Sequence, residues 1–222
     1  MSFLRILSFL FIFAIAVQHS HGGSPLGVTH MLPSPKTLPA GVFVYGTSLA
    51  FGVTDRFQVG TNLHALLSDI PNLNSQLSLY HSDDWALALT VGASQYDVED
   101  VYGNKLATID TYTSGLVLGV ALSDKVAWTN GVEYAWRYVE GSDANIVISG
   151  LFGGTKLQSE LGWIYNDGRA LDLGVSYDTT FSLWGFGLGH HWDGFHLAIH
   201  YYPDADQDKV LPIISGSGAI SF

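Results

Sequence analysis

The feature that most restricts this chain is a series of segments in which side chains alternate in character with a period of two. In residues 41–53, Phe43, Tyr45, Thr47, Leu49, Phe51 and Val53 fall on one face, and Val42, Val44, Gly46, Ser48, Ala50 and Gly52 on the other. Segment 57–68 sets Phe57, Val59, Thr61, Leu63, Ala65 and Leu67 against Gln58, Gly60, Asn62, His64, Leu66 and Ser68. Related patterns recur in 75–81, 85–95, 112–122, 126–138, 157–165, 170–177, 181–192, 195–202 and 211–222. Successive side chains of a strand point to opposite faces, so this spacing predicts strands with one apolar face.

The connections alternate in length. Thr54–Arg56, Ser82–Asp84, Ser123–Lys125, Asn166–Arg169 and Asp193–Gly194 are tight, and Asp-Gly is a strong hairpin-turn signal. Between them lie longer links at Asp69–Asn74, Tyr96–Thr111, Glu140–Thr155 and Pro203–Val210, with Asp178–Thr180 as a short exception. This predicts an antiparallel meander with short turns at one end.

Composition decides what surrounds that meander. Charged residues make up 13% and hydrophobic residues 47%. A water-soluble domain carries about 25% charged residues, whereas a membrane barrel needs an apolar outer band. The expected fold is all-β: a single antiparallel transmembrane β-barrel over residues 41–222. About twelve strands are expected, with ten as the alternative, because single-chain bacterial barrels have even numbers. The additional strand, ascending before residue 41, is expected within or near Leu26–Met31 of the Pro-rich lead-in, residues 23–40.

Residues 1–22 have the form of a cleaved signal peptide, with Arg5 before an apolar stretch from Ile6 to Val17. Export and the barrel pattern together predict a place in the outer membrane of a Gram-negative cell. The absence of cysteine excludes disulfides, thiolate metal sites and a lipoprotein anchor. A net charge of −11 argues against nucleic acid as a partner. Phe57, Trp85, Trp128, Trp163, Trp192, Phe195 and Phe222 fall beside tight turns or at the terminus, as one interfacial girdle would require. Tyr112, Trp136, Tyr138, Trp184 and Tyr201 would mark the other girdle.

Leu38-Pro-Ala-Gly41 followed by Leu49-Ala-Phe-Gly-Val-Thr-Asp-Arg-Phe-Gln-Val-Gly60 resembles a hairpin common in outer-membrane barrels of porin- and transporter-like families. Gly218-Ala-Ile-Ser-Phe222 resembles the C-terminal signal read by the barrel assembly machinery. The resemblance implies that machinery as a partner, through the last strand, and outer-membrane lipid and lipopolysaccharide as surroundings. It carries no functional residues across.

Glu133, Arg137, Glu160, Asp172, His64 and Gln58 fall on the lumenal face as candidate pore-lining residues. They would form either an internal polar network or a charged constriction. Across the Asp193–Gly194 turn, His191 should face His196, with His200 on the same strand; imidazoles so grouped are candidate transition-metal ligands. Asp97, Glu99 and Asp100, and Asp204, Asp206 and Asp208, read as solvated external loops. No catalytic motif surrounds Ser48, Ser68 or His64, so no enzyme and no cofactor are expected. The favoured function is porin-like passage of small solutes. The alternatives are a closed structural barrel whose loops 96–111 and 140–155 bind lipopolysaccharide or another surface, and, less favoured, a lipid-modifying enzyme.

Overall fold

The computed structural model describes residues 26, 28, 31–46, 48–100, 102–141, 149–192, 195–203 and 209–221. The expected signal peptide and Phe222 lie outside the described residues, as do Asp204, Asp206 and Asp208. The strands are β1 (Val42–Gly46), β2 (Ser48–Thr54), β3 (Phe57–Asn62), β4 (Asn72–His81), β5 (Trp85–Glu99) and β6 (Lys105–Ser123). They continue as β7 (Val126–Gly141), β8 (Ser149–Asn166), β9 (Arg169–Asp178), β10 (Leu183–Trp192), β11 (Phe195–Tyr202) and β12 (Lys209–Ser221). Every strand pairs antiparallel with its sequence neighbour, and β12 pairs with β1 from Val42↔Ser221 to Gly46↔Ser217, which closes the barrel.

The ascending strand before β2 exists, but not where the sequence placed it. Residues 41–53 hold both β1 and β2, paired with Phe43 opposite Phe51 and Val44 opposite Ala50. Those partners are symmetric about position 47, so paired residues share parity. The alternation therefore continues unbroken through the reversal and conceals it. Leu26–Met31, expected as that strand, belongs to no strand among the described residues.

Two further expectations change. Segment 57–68 is a strand only to Asn62; Leu63–Leu67 forms a short helix, α1. The Asn62 side chain accepts from the Ala65 amide at 3.1 Å, a helix cap, and leucine and alanine favour the helix. The long links are also shorter than expected. β5 and β6 pair out to Glu99↔Lys105, and β7 and β8 to Glu140↔Ser149. At the β5–β6 tip, the Asp100 carboxylate accepts from the amides of Tyr102 and Asn104, both at 2.8 Å. Asp97 pairs with Lys105 at 2.8 Å. These acidic groups, open to solvent, order the tip of a hairpin.

The pleat divides the residues by face. Trp128, Val132, Leu157, Leu161, Leu173, Trp184 and Leu188 stand exposed on the outside. Ala86, Ala88, Thr129, Glu160, Asp172, Ser176 and Ala198 are buried inside. Leu173 is 61% exposed in the middle of β9. If this outer face meets lipid, Leu173→Arg is expected to destabilise the protein in bilayers by about 2–4 kcal/mol, read by denaturant unfolding. Equal stability of the two proteins would show that Leu173 does not face lipid.

Candidate functional site

The lead-in occupies the lumen. Leu26 is fully buried among Ala86 and Ala127, inward residues of β5 and β7. A Cβ on Gly119 of β6 would stand 2.6 Å from Pro35 and 3.0 Å from Leu26. A Cβ on Gly162 of β8 would stand 2.9 Å from Val28, and one on Gly131 of β7 would run into Leu32. The wall thus lacks side chains where the lead-in lies against it. Val28, Leu32 and Pro35 take their place, and interiors tolerate neither overlap nor void.

Polar groups of the wall satisfy the backbone of this plug. The Glu160 carboxylate accepts from the amide of Met31 at 3.0 Å through one oxygen and of Leu32 at 3.1 Å through the other. Gln158 donates to the Met31 carbonyl at 2.8 Å, and Gln76 donates to the Ser34 carbonyl at 2.7 Å. Gln58 accepts from the Leu38 amide at 2.7 Å. A buried backbone group without a partner costs about 1–3 kcal/mol, so such a segment needs these bonds to enter. The plug leaves by the short-turn end: Thr37 donates to the Asp55 carbonyl and Ala40 to the Asp55 carboxylate.

Beyond the plug, toward the long-loop end, lies a cavity of about 350 Å³. Leu32 and Pro33 line it on the plug side, and Gln58, Asn62, Asn74, Gln76, Thr90, Thr113, Glu133 and Gln158 on the wall. Its wall presents amide and hydroxyl side chains among apolar residues, and Glu133 is the one charged residue that lines it. Glu133 sits opposite Lys156 on β8. Farther out, Arg137 lies between the rings of Phe152 and Phe181, each 5.9 Å from the guanidinium carbon. The fold is a closed, antiparallel β-barrel. Its outer face is apolar, its inner face carries small and polar residues, and its edges are joined.

No known protein family matches the chain, and no curated protein resembles it in sequence. Among solved structures it is similar to one described as "KdgM porin in complex with disordered oligogalacturonate", at 10% identity and a TM-score of 0.33. That similarity covers 82% of this chain and 99% of the other.

The sequence-derived candidates are distributed as follows. Gln58 and Glu160 bind the plug, Glu133 lines the cavity, and Arg137 lies beyond it. Asp172 does not join Glu133 and Arg137; it hydrogen-bonds His191. His64 falls in α1 instead of the expected strand, so it does not hold a strand position on the wall. His191 and His196 are cross-strand partners, with rings stacked at 4.3 Å. The group with ligand atoms within 4.8 Å of one another is Asp172, His191 and His196, so Asp172 takes the place expected of His200. Sequence reasoning missed the plug and its role for Glu160, Gln158 and Gln76. The available signal was the run of inward glycines opposite an apolar, Pro-rich lead-in.

Proposed function

We propose that this protein is an outer-membrane barrel of porin-like function, passing small polar solutes through a lumen that its own N-terminal lead-in obstructs. The observation that carries the reading is a cavity inside a closed barrel whose outer face is apolar, with the amides and hydroxyls of Gln58, Asn62, Asn74, Thr90, Thr113 and Gln158 in its wall. An outward apolar belt fits a bilayer, and inward amides and hydroxyls fit hydrated solutes. The short turns would face the periplasm, as such turns do in outer-membrane barrels. The plug would then stand at the periplasmic side, and the cavity would open outward. Export by residues 1–22, insertion through the last strand by the barrel assembly machinery, and lipopolysaccharide as surroundings belong to the same proposal.

A second reading, a closed structural barrel, draws support from the same plug, because a segment so fully hydrogen-bonded is suited to permanent closure. Bilayer recording separates the two. Refolded full-length protein is expected to give stepwise currents of low amplitude or low open probability. Well-folded protein that stays silent, with and without its plug, would leave only the structural barrel.

A further inference from the structure

We infer that Asp172, His191 and His196 form a binding site for one divalent first-row transition metal ion at the short-turn mouth of the lumen. Three successive strands each contribute one residue: Asp172 from β9, His191 from β10 and His196 from β11. The register assembles them. His191 lies opposite His196, and Asp172 lies opposite Gly189, two residues before His191 on the same face. Their ligand atoms lie within 4.8 Å of one another.

The site is shaped for the carboxylate. Asp172 is 1% exposed, and a Cβ at position 189 would stand 2.8 Å from its Oδ1. Glycine there leaves the space the carboxylate fills. The imidazoles of His191 and His196 are stacked, with ring planes 16° apart, and one nitrogen of each lies within 4.8 Å of the other and of an Asp172 carboxylate oxygen. His191 Nε2 is hydrogen-bonded to Asp172 Oδ2, so an ion entering there would replace the shared proton and release it. Two imidazole nitrogens and one carboxylate oxygen suit Zn²⁺, Ni²⁺ or Cu²⁺, and leave a coordination position for water. Ca²⁺ and Mg²⁺ require oxygen ligands in greater number and are not expected. Both histidines keep partial exposure near the turn, which gives an ion a route in from that mouth.

The test uses full-length protein folded in detergent, titrated with ZnCl₂ by calorimetry and with Cu²⁺ by electron paramagnetic resonance. One saturable equivalent is expected, with two nitrogen ligands on Cu²⁺. His196→Asn, at a half-buried position, is expected to weaken Zn²⁺ binding by roughly tenfold or more, because one of three ligands is lost. Cu²⁺ in that variant should retain a single nitrogen ligand. His200→Asn is expected to bind as the wild type does. Heat-modifiable migration in gels reports folding of each variant. Absence of a saturable equivalent in the wild type would overturn the inference, as would unchanged binding in folded His196→Asn. Should His196→Asn fail to fold, His191→Asn takes its place and unchanged Zn²⁺ binding in it overturns the inference; should neither fold, fewer than two nitrogen ligands on wild-type Cu²⁺ overturns it.

Discussion

Removal of residues 26–36 is expected to raise the single-channel conductance of the barrel several-fold over the full-length chain. Those residues place Leu26, Val28, Leu32 and Pro35 where the wall has small residues or none. Without them, the space beside Gly119, Gly131 and Gly162 fills with water and becomes continuous with the cavity of about 350 Å³. Current through a pore is limited by its narrowest section, and in the proposed pore the plug is that section. The strand ladder that closes the barrel includes no residue of the lead-in, so the deletion leaves its hydrogen bonds intact. A less invasive variant makes the same point. In Gly162→Val the new Cβ would meet the Val28 carbonyl oxygen at 2.6 Å, and the plug must retreat. Both variants are expected to conduct more than the parent. Equal conductance in all three, with folding confirmed, would show that the lead-in does not obstruct the lumen.

A single substitution at Glu160 is expected to loosen the plug without disturbing the barrel. Its carboxylate is 1% exposed and uses both oxygens on the amides of Met31 and Leu32. Glu160→Gln keeps the shape but turns one acceptor into a donor, which then faces a backbone N–H. A hydrogen bond to a charged group contributes about 1.5–3 kcal/mol, and a buried amide left unpaired costs a similar amount. At about 1.4 kcal/mol per tenfold, the fraction of barrels with a displaced plug should rise roughly tenfold to a hundredfold. Two measurements report it: the frequency of openings in bilayers, and the rate at which a protease cleaves within residues 26–40 from the short-turn side. Glu133→Gln, on the cavity wall and away from the plug amides, is the comparison and should leave the protease rate unchanged. If Glu160→Gln and the parent are cleaved equally slowly, the carboxylate does not hold the plug.

The two predictions rest on features of different legibility. The barrel's two faces were readable from the chain because alternation is a property of each strand alone: Leu157, Leu161 and Trp163 diverge from Gln158, Glu160 and Gly162 whatever pairs with them. The positions of most tight turns were readable for the same local reason. The β1–β2 reversal was not, since pairing symmetric about position 47 preserves parity and leaves no break in the pattern. The strand assigned to 57–68 failed at Asn62, where a helix cap and helix-favouring residues outweighed a continued alternation.

The site was less legible than the wall. His191 and His196 could be placed opposite each other because a two-residue turn sets their register locally. Asp172 could not be joined to them, because that requires the register of β9 against β10 across the Asp178–Thr180 connection. Glu160 was visible as an inward carboxylate but not as the group that binds Met31 and Leu32, 129 and 128 residues away in sequence.

What the amino-acid sequence determined by itself was the alternating, charge-poor character of strands with one apolar face and one inward face of small and polar residues. What the tertiary structure alone decided was the occupant of that interior. A plug is specified by glycines on separate strands and by a distant carboxylate, and these meet the lead-in only once the barrel has closed around it.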